Sequence, residues 1–187
     1  MKRISQAGVF AVHNYFHVSP ESPDGRRVAY SLYPGGPCPG NMGPCDVMVC
    51  DRDGTVHRKV GSAAAAGHHV GARPTWIDDE HLAYQDEAQH TLHIVHVDSL
   101  QEAVYEGGVD NYSPVLGRMY YCEGRPDRKS VRYLDLATGD THTVVRLEDM
   151  ARFGPLGGRP CTPEDWRFAH AYIAPDGSAK SQFDPTG

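Results

Sequence analysis

The 187-residue sequence predicts an all-β fold, a β-propeller of four-stranded antiparallel blades, incomplete, with about three to four blades in the chain. Three observations predict it. First, "SPDGRRVAYSLY", "WIDDEHLAYQDE" and "SPVLGRMYYCEG" share one pattern, a turn followed by apolar residues at every second position. Second, each is followed by another strand, a polar turn and a last strand. Third, these units start at Ser22, Trp76 and Ser113, offsets of 54 and 37 residues that fit blade-sized repeats. A β-sandwich is the rival architecture, because it also uses short alternating strands.

The elements follow in order. A short strand, "YFHVS", is expected ahead of the first turn, and "ARPTW" ahead of the second. In "SPDG" the proline presets φ, the aspartate bonds nearby backbone and the glycine accepts positive φ. The strand after it carries Val28, Tyr30 and Leu32, matched by Leu82 and Tyr84 and then by Met119 and Tyr121. "DVMVCDRDGTVHRKV", "TLHIVHVDSLQEAVY" and "SVRYLDLATGDTHTVV" supply the outer hairpins, whose turns open at Asp51, His96 and Asp135. The extra length of the first unit lies in "PGGPCPGNMGPC" and "GSAAAAGHHVG". A fourth unit opens at "HAYIAPDGSAKSQF". Blade boundaries are therefore expected at about 13–66, 67–108, 109–150 and a truncated 166–187, within a single partial propeller domain. Residues 147–166 form an inter-blade insertion, with one helical turn at its start and capping preferences for another at Thr162, Pro163, Glu164 and Asp165.

A hydrophobic fraction of 40% and a charged fraction of 22% are those of a globular protein. The net charge of −6 provides no electrostatic footprint for nucleic acid or an anionic membrane. No apolar run approaches the ~20 residues of a spanning helix. A cytoplasmic location is the expectation, with a periplasmic one left open. Five cysteines cannot all pair within one chain. Cys38 and Cys45 stand close enough in sequence for a bridge in an oxidising compartment, and free thiols are the plainer reading.

With the repeats in place, the "SPDG" turn and the apolar strand after it resemble the TolB-like, WD40-like propeller superfamily. "HNYFHVSPESPDGRRVAY" is similar to the first blade of oligogalacturonate lyases, and "PEDWRFAHAYIAPDG" looks like a later blade of that group. The resemblance implies a seven-bladed ring of which this chain is the N-terminal part. It also implies a manganese ion, held by histidines and a glutamine in the full-length protein. That ion would neutralise a uronate carboxylate while a basic residue removes the C5 proton. Those family residues belong mainly to later blades, and no metal-ligand motif of the family can be matched onto this sequence. An open stack of three and a half blades leaves apolar terminal faces, so the remainder of the propeller, or a second copy, is expected to close the ring.

His13, His17, His68, His69 and His170 each lie shortly before an inner strand, where propeller residues line the channel or its mouth. Converging imidazoles there suit a ligand, a divalent cation or general-base work. Arg73 and Arg167 add guanidinium groups for a carboxylate or phosphate. The bland alternative is that these residues cap strand ends around a wet channel. His90, His93 and His96 fall on a strand that splits them between two faces, with His93 on a tolerant solvent face equivalent to Met48 and Arg132. "DRDG" lacks the downstream glutamate of a calcium loop and is explained by its hairpin. No nucleophile elbow or phosphate-cradling loop is present. Tyr84, Tyr120, Tyr121 and Trp76 are expected in the core.

Three functions compete. The first is a propeller that binds a protein, a small molecule or an oligosaccharide. The second is a lyase-like enzyme performing metal-assisted β-elimination on uronate oligosaccharides. The third is the gating propeller of a larger hydrolase. Taken alone, these residues favour binding over catalysis, and fold by itself decides none of the three.

Overall fold

The computed structural model describes residues 5, 8–36, 42–123, 129–150, 166–173 and 179–185, the last two segments by backbone only apart from the Phe168 side chain. The chain divides into two compact units, Met1–Glu106 and Gly107–Gly187. The first holds β1 (Phe10–Val12), β2 (Arg27–Tyr33), β3 (Met42–Asp51), β4 (Arg58–Gly67), β5 (Thr75–Trp76), β6 (His81–Asp86), β7 (Thr91–His96) and β8 (Glu102–Glu106). The second holds β9 (Asn111–Ser113), β10 (Arg118–Cys122), β11 (Ser130–Asp135), β12 (Thr141–Arg146), α1 (Leu147–Met150), β13 (Trp166–Ile173) and β14 (Ala179–Pro185). Their sheets are β1-β2-β3-β4, β5-β6-β7-β8, β9-β10-β11-β12 and the pair β13-β14, with all pairings antiparallel. The architecture is that of an incomplete β-propeller with four-stranded blades.

The register makes the repeat explicit. Arg27 pairs with Asp51, His81 with His96 and Arg118 with Asp135, so each outer hairpin opens at the expected residue. Three residues inward, Tyr30, Tyr84 and Tyr121 lie opposite Met48, His93 and Arg132. This corrects the sequence expectation for His93. The position shares a face with the repeated tyrosine, and Met48 there is 6% exposed. A cross-strand partner of a buried aromatic is drawn under cover with it.

The strand expected at "YFHVS" is not one. The inner slot beside β2 is shared by β1, which pairs with Ser31, Leu32 and Tyr33, and by Pro20–Glu21 lower down. Pro20 accepts from the Ala29 amide at 2.8 Å, while Glu21 bridges Val28. A proline brings no N–H to a ladder, and Val18 instead turns back to the Tyr15 carbonyl at 2.9 Å. Residues 13–19 are thereby looped out of the inner strand. The short helical turn expected after residue 146 is α1, whereas the capping residues 162–165 and Cys38 lie outside the described residues. Among the described residues, no helix is long and apolar enough to cross a membrane.

Both faces of β2 are covered, as stacking of blades requires. Ala29, Tyr33, Val47 and Val49 from one sheet meet Trp76, Leu82, Tyr84 and Val95 from the next in the main core of the first unit. Full burial of each large side chain contributes about 1.5–3 kcal/mol. Polar groups stitch the same seam. Asp98 accepts from Arg58 at 2.7 Å and Arg27 at 2.9 Å, and Asp79 accepts from the Asp24 amide at 2.8 Å. Buried Asp86 receives the amides of Ala64 at 2.9 Å, Ala65 at 3.3 Å and Ala88 at 2.9 Å. The second unit has its own core of Tyr120, Val131, Leu147 and Phe168.

The sheets approach most tightly at Gly61 on β4, where a Cβ would lie 2.5 Å from the Tyr84 hydroxyl oxygen. Gly61→Ala is therefore expected to destabilise the first unit by about 1–3 kcal/mol, read as a lower urea midpoint at unchanged slope. The hydrogen bonds from Arg58 and Arg27 hold the Asp98 carboxyl below its ordinary value of 3.8. A lowered carboxylate value contributes stability above 3.8 that is lost as pH falls through the folded-state value. The melting-temperature gap between the parent and Asp98→Asn should accordingly narrow in acid.

Candidate functional site

Two loops of the first unit meet at the edge formed by the first strands, which in a propeller is the edge facing the axis. One is the looped-out segment 13–19, and the other joins β4 to β5 through 67–74. Asn14 ties them together. It is 3% exposed, donates to the Thr75 hydroxyl at 2.9 Å and to the Pro74 carbonyl at 3.3 Å, and accepts from the Tyr15 amide at 2.7 Å. An asparagine suits the place because its amide is donor and acceptor at once.

Tyr15, thus anchored, gathers the imidazoles. Its ring centroid lies 5.4 Å from His17 and 6.3 Å from His69, both edge-on, and 4.5 Å from Phe16. Phe16 is 79% exposed and also meets His17 at 5.7 Å. His68 turns the other way, edge-on to Tyr33 at 4.9 Å and to Phe10 at 5.7 Å. The Tyr33 hydroxyl donates to the Gly67 carbonyl at 2.8 Å, which pins the start of this turn. Gly71 closes it at φ +62°, where a Cβ would run into the Ser31 side chain. Ser31 in turn accepts from the Ala72 amide at 2.9 Å.

The seven residues singled out from sequence are thus distributed unevenly. His17 and His69 come together on Tyr15, and His68 occupies the neighbouring aromatic contact. His13 is exposed, with no ring or hydrogen-bond partner among the described residues. Arg73 is 5% exposed and held at φ +53°, a left-handed backbone that costs a residue with a Cβ about 1–2 kcal/mol. Its side chain is buried rather than presented to solvent. Of His170 and Arg167 only the backbone, in β13 of the other unit, is described. Sequence reasoning missed Asn14, Tyr15 and Phe16. The signal for them was the run Asn-Tyr-Phe between two histidines, followed by a proline that ends strand pairing.

Solved structures resemble this fold. An oligogalacturonate lyase in complex with manganese superposes with a TM-score of 0.52 at 18% identity, covering 77% of this chain and 43% of that one. An oligogalacturonate lyase from Vibrio parahaemolyticus gives 0.50 at 13% identity with the same coverage. A TolB structure from Agrobacterium tumefaciens gives 0.51 at 16% identity, covering 90% of this chain and 58% of that one. The fold is that of a TolB-like, oligogalacturonate lyase-type propeller. The chain spans about half the length of these structures. No family model and no curated protein matches the sequence.

The propeller fold and the lyase neighbour raise the question of manganese. Among the described residues no group of three or more His, Cys, Asp or Glu side chains is placed to hold a metal ion. His17 and His69 share an aromatic ring rather than a common coordination point. The described residues do not fit the metal, and no chemical step is derived through it.

If Asn14 organises the loop, Asn14→Ala should lower stability by about 1–3 kcal/mol. The Tyr15, His17 and His69 ring resonances should lose their ring-current shifts in NMR spectra of that variant.

Proposed function

We propose that this chain is the ligand-binding part of a TolB-like propeller, and that it takes a small-molecule or oligosaccharide ligand at the paired loops 13–19 and 67–74. One observation carries the reading. A buried asparagine holds Tyr15 so that His17 and His69 converge on it, with Phe16 standing out into solvent beside them. An aromatic ring at 79% exposure buries little surface in the fold and offers an apolar face to a ligand. The exposed His69 imidazole beside it donates and accepts hydrogen bonds, which matches a body that is apolar on one side and hydroxyl- or carboxylate-bearing at its rim.

Oligogalacturonates are the first probe, because proteins of this fold include lyases named for them. Calorimetric titration should show saturable binding that falls about tenfold or more in Phe16→Ala and in His69→Ala. Both residues are exposed, so melting temperatures should hardly move. Binding unchanged in both variants would move the ligand elsewhere. A rise of the unsaturated-uronate absorbance in the presence of manganese would replace simple binding with metal-assisted β-elimination.

A further inference from the structure

A cavity lies on the outer side of the seam between the first two sheets. It measures about 510 Å³ and opens between β4 and the β7–β8 hairpin. This is within the size range of small-molecule pockets. Its floor is a hydrogen-bonded hub built on the repeated tyrosine. The Tyr84 hydroxyl donates to Glu102 Oε1 at 2.5 Å, and His93 Nδ1 reaches the same oxygen at 3.1 Å. The Tyr84 and His93 rings are stacked at 4.7 Å and 10°. His93 Nε2 lies 2.9 Å from the Thr91 hydroxyl. With Thr91 as donor to Nε2, the neutral imidazole carries its proton on Nδ1 and gives it to Glu102.

Two donors therefore fix Glu102 on one oxygen. The other, Oε2, has no hydrogen-bond partner among the described residues. The remaining charge at the rim is already balanced, since Lys59 Nζ lies 2.7 Å from Asp46 Oδ1. Among the described residues that line the cavity, Glu102 is the one acidic group, and Tyr84 and His93 hold it in place. Leu100 stands exposed on the cavity rim, opposite Lys59 and Ser62 of β4, while Val60 and Val95 beneath belong to the core. Leu100 is 50% exposed and stands at φ +59°, where a glycine would be the unstrained choice. The left-handed backbone belongs to the β7–β8 turn, where the Leu100 amide donates to the His96 carbonyl at 2.8 Å, and the side chain stays outside the core at the lip of the cavity.

We propose that this cavity binds an organic ammonium ion carried on an apolar body, with the nitrogen on Glu102 Oε2 and the body against Leu100. A preorganised carboxylate makes charge-assisted hydrogen bonds roughly twice as strong as neutral ones, which selects an ammonium over an isosteric alcohol. The site is independent of the paired loops 13–19 and 67–74.

Phenethylammonium and 2-phenylethanol are the probes, titrated into the full chain and followed by amide NMR shifts of Gly61, Val95, Leu100 and Glu102. Saturable shifts are expected with the ammonium, at an affinity about tenfold or more above that for the alcohol. Glu102→Gln keeps an oxygen for Tyr84 and His93, so the fold should persist while ammonium binding drops about tenfold. Leu100→Gly relieves the backbone and removes the wall, so binding should fall in a protein at least as stable. Absence of saturable shifts with the ammonium, equal binding of the alcohol, or undiminished binding by folded Glu102→Gln would each overturn the proposal.

Discussion

The first unit turns on what one tyrosine does where two sheets meet. The Tyr84 ring lies so close to Gly61 that any larger residue would have to displace it. Its hydroxyl donates to Glu102 on β8 and takes a hydrogen bond from the Ser62 backbone on β4. Burial, followed by the Glu102 bond, pushes the phenol well above the usual tyrosine range, so it stays a donor at any physiological pH. One side chain thus ties the outer strand of one sheet to the outer strand of the next. Leu82, Val95 and Trp76 can then pack against Ala29, Val47 and Val49 without a polar atom stranded between them.

The inner edge obeys a different rule. There the hydrogen-bond slot beside β2 is divided between Phe10–Val12 and Pro20–Glu21, and the chain between them has no ladder to join. Backbone released from pairing must find other partners. Asn14 supplies one of them from its own side chain and spends the rest of its amide on the connection to β5. The candidate loop site is therefore a by-product of an interrupted strand. Phe16 and His69 are displayed there because they are not needed to fill a core.

Equivalent positions in successive sheets were legible wherever side-chain alternation and turn chemistry agreed. The openings of the outer hairpins at Asp51, His96 and Asp135 were readable from spacing alone, and so was the burial of Trp76, Tyr84, Tyr120 and Tyr121. His93 was misread because the variety of residues at its equivalent positions, Met48 and Arg132, was taken as a sign of a solvent face. Stacking on Tyr84 and the bond to Glu102 outweigh the polarity of the imidazole. The segment "YFHVS" was misread because alternation cannot reveal that β1 has already filled the slot beside it.

By itself the sequence determined the local grammar: which residues turn, which alternate, and that the unit repeats. Those features depend on neighbours a few positions away, through φ preferences and the two-residue period of a strand. Tertiary structure alone decided which loops touch. His17 meets His69 on Tyr15, and Glu102 meets His93 and Tyr84, through contacts set by the stacking of one sheet on the next and by strand register. Such contacts join residues far apart in the chain, and no spacing rule encodes them.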